Sequence, residues 1–422
     1  MQNLYLFNER LQFPVGAGFF HAGRVSTDQN NRDRQFRYIY DCGTVGSAPR
    51  PDYPQADLDA CIDDLRRRSA WVNMRVDALF ISHFHEDHVS GLKRILELFK
   101  PRQVFIPYTD ILERVAAFAH GEGAEAANTE FVVTLIRDPV AAIQSVVAYQ
   151  NADDGELVPE VLVIRNSPSA ESIVQIDPET DSSSGWHGGD GVYQQPLPGQ
   201  RTDVTDAGYL AIRSSGTRFW VLKPWVDPMI DRQKAEFRGC IADHFKIERD
   251  DVDVWLTIRE NSERVINEIG ELRRLLGRRH NFNVTSMSLF SGPMGEFDSL
   301  RHDWAHSGTS RSDALAKRIG WLATGDAKLR EKARRSRFLK HFGIQISEVS
   351  SLALPHHGSN ANFHPDLLTF LDPTICVVGS GGRYGHPHES VVRQVKTSGA
   401  EMIIADTDVT STLSEHVWAS YR

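Results

Sequence analysis

Residues 76–88 read VDALFISHFHEDH, an apolar segment of strand length followed at once by a cluster of histidine and acidic side chains. In an extended chain alternate side chains lie on one side, so His83 and His85 can share a metal ion. Asp87 and His88 come from the turn that follows and can reach a second ion. Imidazole and carboxylate groups are ligands that zinc, manganese and iron accept in proteins. The segment therefore predicts a metal site at the end of a strand.

Strands and helices alternate around this segment. Short apolar or alternating runs predict strands at residues 36–41, 76–82, 103–107, 283–290, 319–324, 351–355, 374–379 and 401–405. Helical patterns cover residues 57–68, 91–100, 229–247, 254–279, 365–371 and 389–398, and a hairpin is predicted over 207–226. Residues 166–202 are rich in Ser, Gly, Pro and Asp and predict either a disordered surface segment or a cover over the active site. The alternation is typical of the α/β class.

Further polar blocks stand at predicted strand ends. They are Asp41-Cys42-Gly43, Thr324-Gly325-Asp326 and Pro355-His356-His357-Gly358-Ser359. Together with the HxHxDH pattern of residues 83–88, their type and order resemble the metallo-β-lactamase superfamily. This resemblance implies a four-layer αββα sandwich. It also implies that residues 1–422 form one hydrolase domain, with helical and loop insertions at about 111–200 and 227–280.

The resemblance also implies a ligand set for two divalent metal ions, with zinc expected and manganese as the alternative. The implied metal ligands are His83, His85, Asp87, His88, Asp326 and His357. Asp326 is expected to bridge the two ions, and His357 to bind the second. Many members of the superfamily supply a further histidine to the first ion from a GHT-like turn, which this sequence lacks. Lys223 stands nearest to the expected strand end, so His83, His85 and Asp326 are expected to hold the first ion and to leave positions open for water and substrate.

A narrower resemblance lies in the C-terminal part. The blocks Tyr384-Gly385-His386-Pro387 and Thr407-Asp408, with Asn283 and Ser286 further upstream, are similar to the metallo-β-lactamase-like domain of bacterial competence DNA-uptake channel proteins. That group is associated with phosphodiester chemistry. The catalytic residues then expected are Asp87, His356 and His386, and the substrate-binding residues are Arg383, Tyr384 and Lys223. His356 is the candidate acid for the leaving group, although the two adjacent histidines can exchange these roles. A strand-end turn that needs Gly385 and Pro387 is the alternative interpretation of residues 384–387.

The leading functional prediction is phosphodiester hydrolysis by a nuclease or phosphodiesterase, with a hydroxide shared by the two metal ions as nucleophile. Hydrolysis of an ester, thioester or lactone is the alternative, because one fold hosts several chemistries. The third hypothesis is a metal-binding subunit of a multi-protein system, such as one directed against foreign DNA. Residues 327–341 hold seven basic residues and the single acid Glu331. If they form one helix, Lys328, Lys332 and Arg335 share a face that could steer a nucleic acid toward the metals; the alternative is a simple solvated helix.

Composition indicates which partners and which cellular compartment to expect for the protein. With 47 basic and 56 acidic residues the net charge is −9, which argues against a general coat for nucleic acids but leaves room for a local basic groove. Four scattered cysteines fit neither a disulfide framework nor a thiolate zinc site and indicate a reducing compartment. Glu9 and Arg10 interrupt any early apolar run, and no segment is long and apolar enough to span a membrane. We therefore expect a cytoplasmic protein that contacts no membrane and can bind a protein partner through its insertions; the oligomeric state cannot be read from the sequence.

Overall fold

A computed structural model describes most of the chain. The described residues are 4–27, 35–45, 57–120, 130–150, 158–167, 185–187, 193–194, 199–214, 217–268, 271–272, 285–295, 297–382 and 385–421.

Two β-sheets form the centre of the molecule. Their strands are β1 (Leu4–Gln12), β2 (Gly18–Ser26), β3 (Gln35–Thr44), β4 (Ala78–Phe80), β5 (Gln103–Pro107), β6 (Glu160–Arg165), β7 (Gly185–His187), β8 (Tyr193–Gln194), β9 (Arg201–Thr205), β10 (Tyr209–Ser214), β11 (Thr217–Asp227), β12 (Ser286–Pro293), β13 (Ser299–His306), β14 (Thr309–Asp313), β15 (Gly320–Ala323), β16 (Val349–Ala353), β17 (Ile375–Gly379), β18 (Glu401–Ala405) and β19 (Leu413–Tyr421). The first sheet has the order β14-β13-β19-β1-β2-β3-β4-β5-β6-β9. The second has the order β18-β17-β16-β15-β12-β11-β10-β7-β8.

Helices lie on the outer faces of both sheets. They are α1 (Leu58–Arg67), α2 (Glu86–Val89), α3 (Leu92–Phe99), α4 (Ile111–His120), α5 (Glu130–Arg137), α6 (Pro139–Gln150), α7 (Asp231–Phe245), α8 (Val252–Thr257), α9 (Arg259–Asn267), α10 (Lys332–Phe342), α11 (Asp366–Leu371) and α12 (Glu389–Ser398). In the part of the chain that the structure describes, no helix combines the length and the apolar character needed to cross a membrane.

Three apolar clusters define the layers. One cluster joins α1, α3 and the helices α4 to α9 to the first sheet, a second fills the space between the sheets, and a third joins α10, α11 and α12 to the second sheet. Alternation along a strand explains why a sheet can serve two layers. In β11, Trp220 and Leu222 face the first sheet, whereas Val221 and Trp225 face α10. The predicted α/β sandwich with helices outside two packed sheets is confirmed.

The parallel strands of each sheet place the polar blocks at the predicted strand ends along one edge of the sandwich. Strands β3, β4, β5, β6 and β9 run parallel in the first sheet, and β15, β16, β17 and β18 do so in the second. His83 follows β4 and Asp326 follows β15. Their side chains approach within 3.4 Å, from His83 Nε2 to Asp326 Oδ2. The carboxyl ends of the two parallel sets therefore meet, and this meeting edge carries the candidate site.

The helical parts of the two insertions pack on each other. Helix α4 of the first insertion contacts α7, α8 and α9 of the second. Lys234 of α7 donates to Glu113 of α4 over 2.9 Å, and Glu113 also accepts a hydrogen bond of 2.5 Å from Thr285, just before β12. The predicted single helix at 254–279 is wrong at its start, because the extended residue Ile258 separates α8 from α9.

The basic segment 327–341 also differs from the sequence prediction. Its helix α10 begins only at Lys332, so Lys328 and Arg330 lie in the preceding loop and share no helical face with the later residues. Arg334 and Arg335 are buried and pair with Asp227 and Asp366 respectively. The predicted face of Lys328, Lys332 and Arg335 is therefore not formed, because Lys328 precedes the helix and Arg335 is buried against Asp366.

Some predicted features lie partly or wholly outside the described residues. Of residues 166–202, strands β7 and β8 pair with each other and β7 pairs with β10, whereas much of the remainder is not described. The predicted hairpin over 207–226 is confirmed as β10 and β11, with its turn at 215–216 not described. The hairpin of β13 and β14 and the C-terminal strand β19 were not predicted.

Candidate metal centre

The first sheet contributes one continuous loop to the site. Strand β4 ends at Phe80, and the chain stays extended to His85, the residue that precedes α2. His83 Nε2 lies 3.0 Å from His85 Nδ1, so the two rings face the same space, as alternation predicts. His88 lies on α2 with 3% of its surface exposed. We call His83, His85, Asp87 and His88 the first-sheet half of the site.

Asp41 holds the first-sheet half from behind. Its carboxylate accepts the backbone N–H of Ser82 at 2.6 Å, the Ser82 hydroxyl at 2.6 Å and His88 Nδ1 at 2.8 Å. Because the single hydroxyl proton of Ser82 goes to Asp41, His83 Nδ1 is the donor in its 2.8 Å contact with Ser82 Oγ. The Nε2 atoms of His83 and His88 are thus left to face the site, an orienting role that carboxylates commonly play behind metal-bound histidines.

The second sheet contributes Asp326 from a tight turn after β15. Gly325 has a φ of +52°, and a Cβ at this position would lie 2.5 Å from Ser286 Oγ, so the turn requires glycine. Ser286 Oγ accepts the backbone N–H of Asp326 at 2.9 Å, and Asn362 Nδ2 donates to the Asp326 carbonyl at 2.8 Å. Two residues further, the N–H of Lys328 donates to Asp227 Oδ2 at 2.9 Å. No local pattern predicts a positioning role for Asn362 or Asp227, since side-chain contacts across loops leave no periodic signal in the sequence.

His357 comes from the loop after β16. Its Nδ1 donates to the carbonyl of Gly379 at 2.9 Å, which leaves the lone pair of Nε2 directed at the site, 3.1 Å from Asp87 Oδ2. Both His356 and His357 have positive φ, 48° and 53°. Such backbone is strained for non-glycine residues and clusters at functional sites. We call Asp326 and His357 the second-sheet half.

The two halves together form overlapping sets of atoms that are candidate metal ligands. Within each set the ligand atoms lie within 4.8 Å of one another; the sets are His83, His85 and Asp326, then His88, Asp326 and His357, then His83, Asp87 and His88. Asp326 belongs to two sets, as expected of a carboxylate between two ions. Among the described residues His88 Nε2 is buried and has no hydrogen-bond partner, although it lies 3.6 Å from Asp87 Oδ2. A buried polar atom of this kind needs a partner, and a divalent cation fits the imidazole and carboxylate donors around it.

The pKa values of the buried carboxyl and imidazole groups show that the charges around the site favour a cation there. Burial opposes ionisation of Asp326, but His356 and His83 nearby hold the pKa of its carboxyl well below the usual value. Burial lowers the pKa of His83 to about 3, so its ring is neutral. Burial also disfavours a charge on His88, yet Asp87 and Asp41 raise its pKa to about 10. A cation that binds His88 Nε2 would displace a proton, since a metal ligand must offer a lone pair.

His356 lies beside these atoms but outside the three sets. Its Nδ1 is buried, has no hydrogen-bond partner in the described part of the chain and is 3.6 Å from Asp326 Oδ2. The ring of His386 packs edge-on against it with 5.4 Å between centroids. Burial lowers the pKa of His386 to about 3, so that ring is neutral. The predicted catalytic histidines are thus brought together at the border of the site.

Three predicted substrate-binding residues have different outcomes. Lys223 is not brought to the site, since it lies in the middle of β11 on the face toward α10, and its Nζ donates to the carbonyl of His341 at 2.8 Å. Burial lowers the pKa of Lys223 to about 8. Arg383 and Tyr384 lie outside the described residues. Asp408 of the predicted Thr407-Asp408 block accepts the N–H of Thr410 at 2.8 Å and so caps a local turn.

Comparison with known proteins adds two findings. Residues 32–144, which include the whole first-sheet half, match the sequence profile of the metallo-beta-lactamase superfamily. A crystal structure of a long form RNase Z from yeast aligns with a TM-score of 0.32 and 9% sequence identity, over 89% of this chain and 36% of that chain. Among curated proteins no match to this sequence is found. Residues 32–144 are thus similar to the metallo-beta-lactamase superfamily, and the described residues form two packed sheets with helices outside them, an arrangement consistent with the fold of that superfamily.

Proposed function

We propose that this protein is a dinuclear metal-dependent hydrolase that cleaves phosphodiester bonds. The observation that carries the proposal is the overlap of the donor sets at Asp326 and His88, with the buried His88 Nε2 aimed into the shared space. His83, His85 and Asp326 would hold one ion, and Asp87, His88, Asp326 and His357 the other. Two such ions, when bound, supply a nucleophile at neutral pH and polarise a phosphoryl oxygen.

The protein's own residues then divide the remaining work. Asp41 and the carbonyl of Gly379 fix the ring orientations of His88 and His357, which sets where the donors point. Apolar side chains including Phe19, Leu354 and Val378 line the cavity beside these rings. Walls of this kind exclude water and so strengthen the electrostatic interactions within the site.

His356 is proposed to interact with the leaving group. It belongs to none of the three donor sets, yet its Nδ1 is 3.6 Å from the carboxylate of Asp326. A hydrogen-bond donor at this border can stabilise negative charge that develops on a departing oxygen. His386, whose neutral ring packs on His356, is proposed as the residue that positions it.

The phosphodiester substrate is supported by sequence blocks rather than by geometry. Residues 355–359 and 384–387 resemble the competence-type domains, which are associated with phosphodiester chemistry. Zinc, with manganese as the alternative, is the metal proposed from the nitrogen and oxygen donors.

A substrate panel tests the proposal. Protein reconstituted with zinc or manganese is assayed on bis(p-nitrophenyl) phosphate, single-stranded DNA and RNA, p-nitrophenyl acetate, a lactone and a β-lactam. We expect metal-dependent phosphodiester cleavage that a chelator abolishes, with little β-lactam turnover. Efficient turnover of esters or lactones without any phosphodiester cleavage would mean that the alternative hydrolase function is correct. If no substrate is turned over and a second protein copurifies in stoichiometric amount, the subunit hypothesis is favoured.

The role of His356 is tested with His356→Ala. We expect the variant to retain both metals and to lose about 100-fold in turnover of an unactivated phosphodiester, within the range for general acid catalysis. The loss should be smaller for p-nitrophenolate, which leaves without a proton. Loss of a metal ion from His356→Ala, with retention in His357→Ala, would exchange the roles of the two histidines.

A further inference from the structure

Three loops at the edge of the second sheet are tied together beside the metal centre. Arg330 Nη1 donates to the side-chain oxygen of Asn360 at 2.9 Å and to its carbonyl at 2.5 Å. The backbone N–H of Asn360 donates to His388 Nδ1 at 3.2 Å. These residues come from the loops that follow β15, β16 and β17, which are adjacent parallel strands. We call Arg330, Asn360 and His388 the rim chain.

Arg330 differs from the neighbouring cations in how its charge is used. Arg334 and Arg335 are buried and paired with Asp227 and Asp366, and Lys328 lies 3.9 Å from Glu331. Arg330 is exposed and forms no ion pair with any acid in the described ranges. Only its Nη1 is bound, to Asn360, so Nε and Nη2 remain available on the outer side of the guanidinium group within this part of the chain.

The chain length places the rim chain near the donors. Arg330 follows Asp326 by four residues, and Asn360 follows His357 by three. Since a chain spans at most about 3.6 Å per residue, their Cα atoms lie within roughly 14 Å and 11 Å of those of the two donors. Distances within these limits allow contact with a group on the substrate next to the one that reacts, because an arginine side chain covers part of the distance.

His388 adds a second donor with a defined tautomer. Its Nδ1 accepts the N–H of Asn360, so the proton of the neutral ring is on Nε2. The rim chain therefore presents N–H donors from a guanidinium group and an imidazole, fixed through the same asparagine.

From this arrangement we infer that Arg330, held by Asn360, binds a phosphate of the substrate that flanks the phosphate between the metals. The inference rests on the proposed phosphodiesterase function and deepens it, because it requires a substrate with several phosphates, an oligonucleotide, rather than a small diester. A planar guanidinium fork matches the oxygens of a phosphate group, and an arginine without an acidic partner can accept that charge without breaking an ion pair.

The test compares a long and a short substrate with the metal-loaded full-length protein. In Arg330→Gln, we expect the KM for a single-stranded oligonucleotide to rise about tenfold, as for loss of a charge-assisted hydrogen bond. Turnover of bis(p-nitrophenyl) phosphate, which has no flanking phosphate, should stay within about twofold of the wild type. The dependence of log(kcat/KM) on log[salt] for the oligonucleotide should become shallower by about 0.7, the value for one lost phosphate contact on a single strand.

Two further variants separate binding from structure. Arg337→Gln removes the same charge from the exposed surface of α10. It should change neither the KM for the oligonucleotide nor the turnover of bis(p-nitrophenyl) phosphate. Asn360→Ala should raise the oligonucleotide KM by less than Arg330→Gln does, because the arginine stays but loses its support.

The inference is overturned if Arg330→Gln leaves the oligonucleotide KM unchanged, or if it impairs both substrates equally. It is also overturned if wild-type protein cleaves bis(p-nitrophenyl) phosphate but shows no binding of the oligonucleotide by fluorescence anisotropy. In each of these cases the proposed function stands. Failure of the wild type to cleave any phosphodiester would instead remove the proposed function, and the inference with it.

Discussion

The two halves of the metal centre are assembled in different ways. The first-sheet half takes four donors from six consecutive positions, residues 83–88, whereas the second-sheet half takes Asp326 and His357 from loops after different strands. The hydrogen bonds that hold the two halves also come from one residue in the first case and from several in the second. Asp41 alone contacts Ser82 and His88 through three hydrogen bonds, while Asp326 is held through Ser286 and Asn362. The first-sheet half thus depends on one buried carboxylate, and the second-sheet half on contacts from several different residues.

This difference has a physical origin. The first-sheet donors need only the geometry of one strand end and one helical turn, and the Asp41 carboxylate orients two of them, His88 directly and His83 through Ser82. The second-sheet donors must be brought together by the packing of β15 and β16 and their loops, and each loop needs its own contacts. We expect damage to the first-sheet support to be large and damage to any one second-sheet support to be small.

The largest effect is expected from Asp326→Ala, which removes the carboxylate that is proposed to bind both ions. The purified wild type should contain close to two transition-metal ions, and the variant should lose more than one of them. Elemental analysis after reconstitution measures this. Asp313→Ala, at an exposed position in β14, is the matched control and should keep the wild-type metal content. Wild-type protein that holds no metal after reconstitution with zinc or manganese would remove the dinuclear hypothesis altogether.

The next largest effects are expected from two variants that should each lose a different one of the two ions. His357→Ala should lose the second ion and retain the first, because His83, His85 and Asp326 remain in place. His83→Ala should do the reverse, with partial weakening of the second site, where His83 stands within 4.8 Å of the ligand atoms of Asp87 and His88. Competitive titration with a metal-binding dye distinguishes one strong site from two. If each variant lost both ions together, the two halves would bind metal as one unit, and the proposed difference between them would be wrong.

Asp41→Asn probes the single anchor of the first-sheet half. The amide keeps the shape of the carboxylate but cannot accept at both oxygens, so the contacts to Ser82 and His88 are disrupted. Replacing such an orienting group typically weakens metal affinity by about 10–100-fold. We expect this loss mainly at the ion that His88 binds, measured by metal titration. Asp206→Asn is a suitable control, since Asp206 is also buried and accepts backbone hydrogen bonds from Val226 and Ser167 but touches none of the donors. Equal losses of metal affinity in both variants would indicate general destabilisation instead of loss of an anchor.

The sequence predicted the first-sheet half in more detail than the second, because the first lies in one short segment and the second in separate loops. Residues 83–88 carry their geometry in their own spacing, so alternation alone paired His83 with His85. Asp326 and His357 were proposed only through a resemblance to known blocks, and their distance from the first half could not be obtained from local patterns. Ser286 was noted within such a block without a role, and Asn362 was not noted, because a hydrogen bond between loops has no periodicity.

The error over residues 327–341 has a related cause. Charge spacing predicted one basic helix, yet the residues after Asp326 form a loop held by Asp227 and Asn362 before α10 begins at Lys332. Tertiary contacts therefore decided where the helix starts and which cations stay exposed. The strands β3, β4 and β5 were predictable, since residues 36–41, 76–82 and 103–107 carry local alternating or apolar patterns, whereas their parallel pairing joins residues far apart in the sequence.

The smallest effects are expected from single changes in the support of Asp326. Ser286→Ala leaves the Asp326 N–H without its acceptor, and Asn362→Ala leaves the Asp326 carbonyl without its donor. Each change should cost about 1–3 kcal/mol of stability, as for an unsatisfied buried polar group, and lower metal affinity by no more than about tenfold, the lower end for such supporting contacts.

Because the two side chains hold opposite ends of the same residue, either one still restrains it when the other is lost. The double variant should therefore lose more metal affinity than the product of the two single losses, a coupling that a double-mutant cycle measures directly. Ser347→Ala removes a hydroxyl that donates to the local carbonyl of Ile344 at an exposed position, and it controls for the loss of a serine. A single variant as damaging as Asp41→Asn would show that the second-sheet half also depends on one anchor, and the contrast between the halves would then lie in their sequence spacing alone.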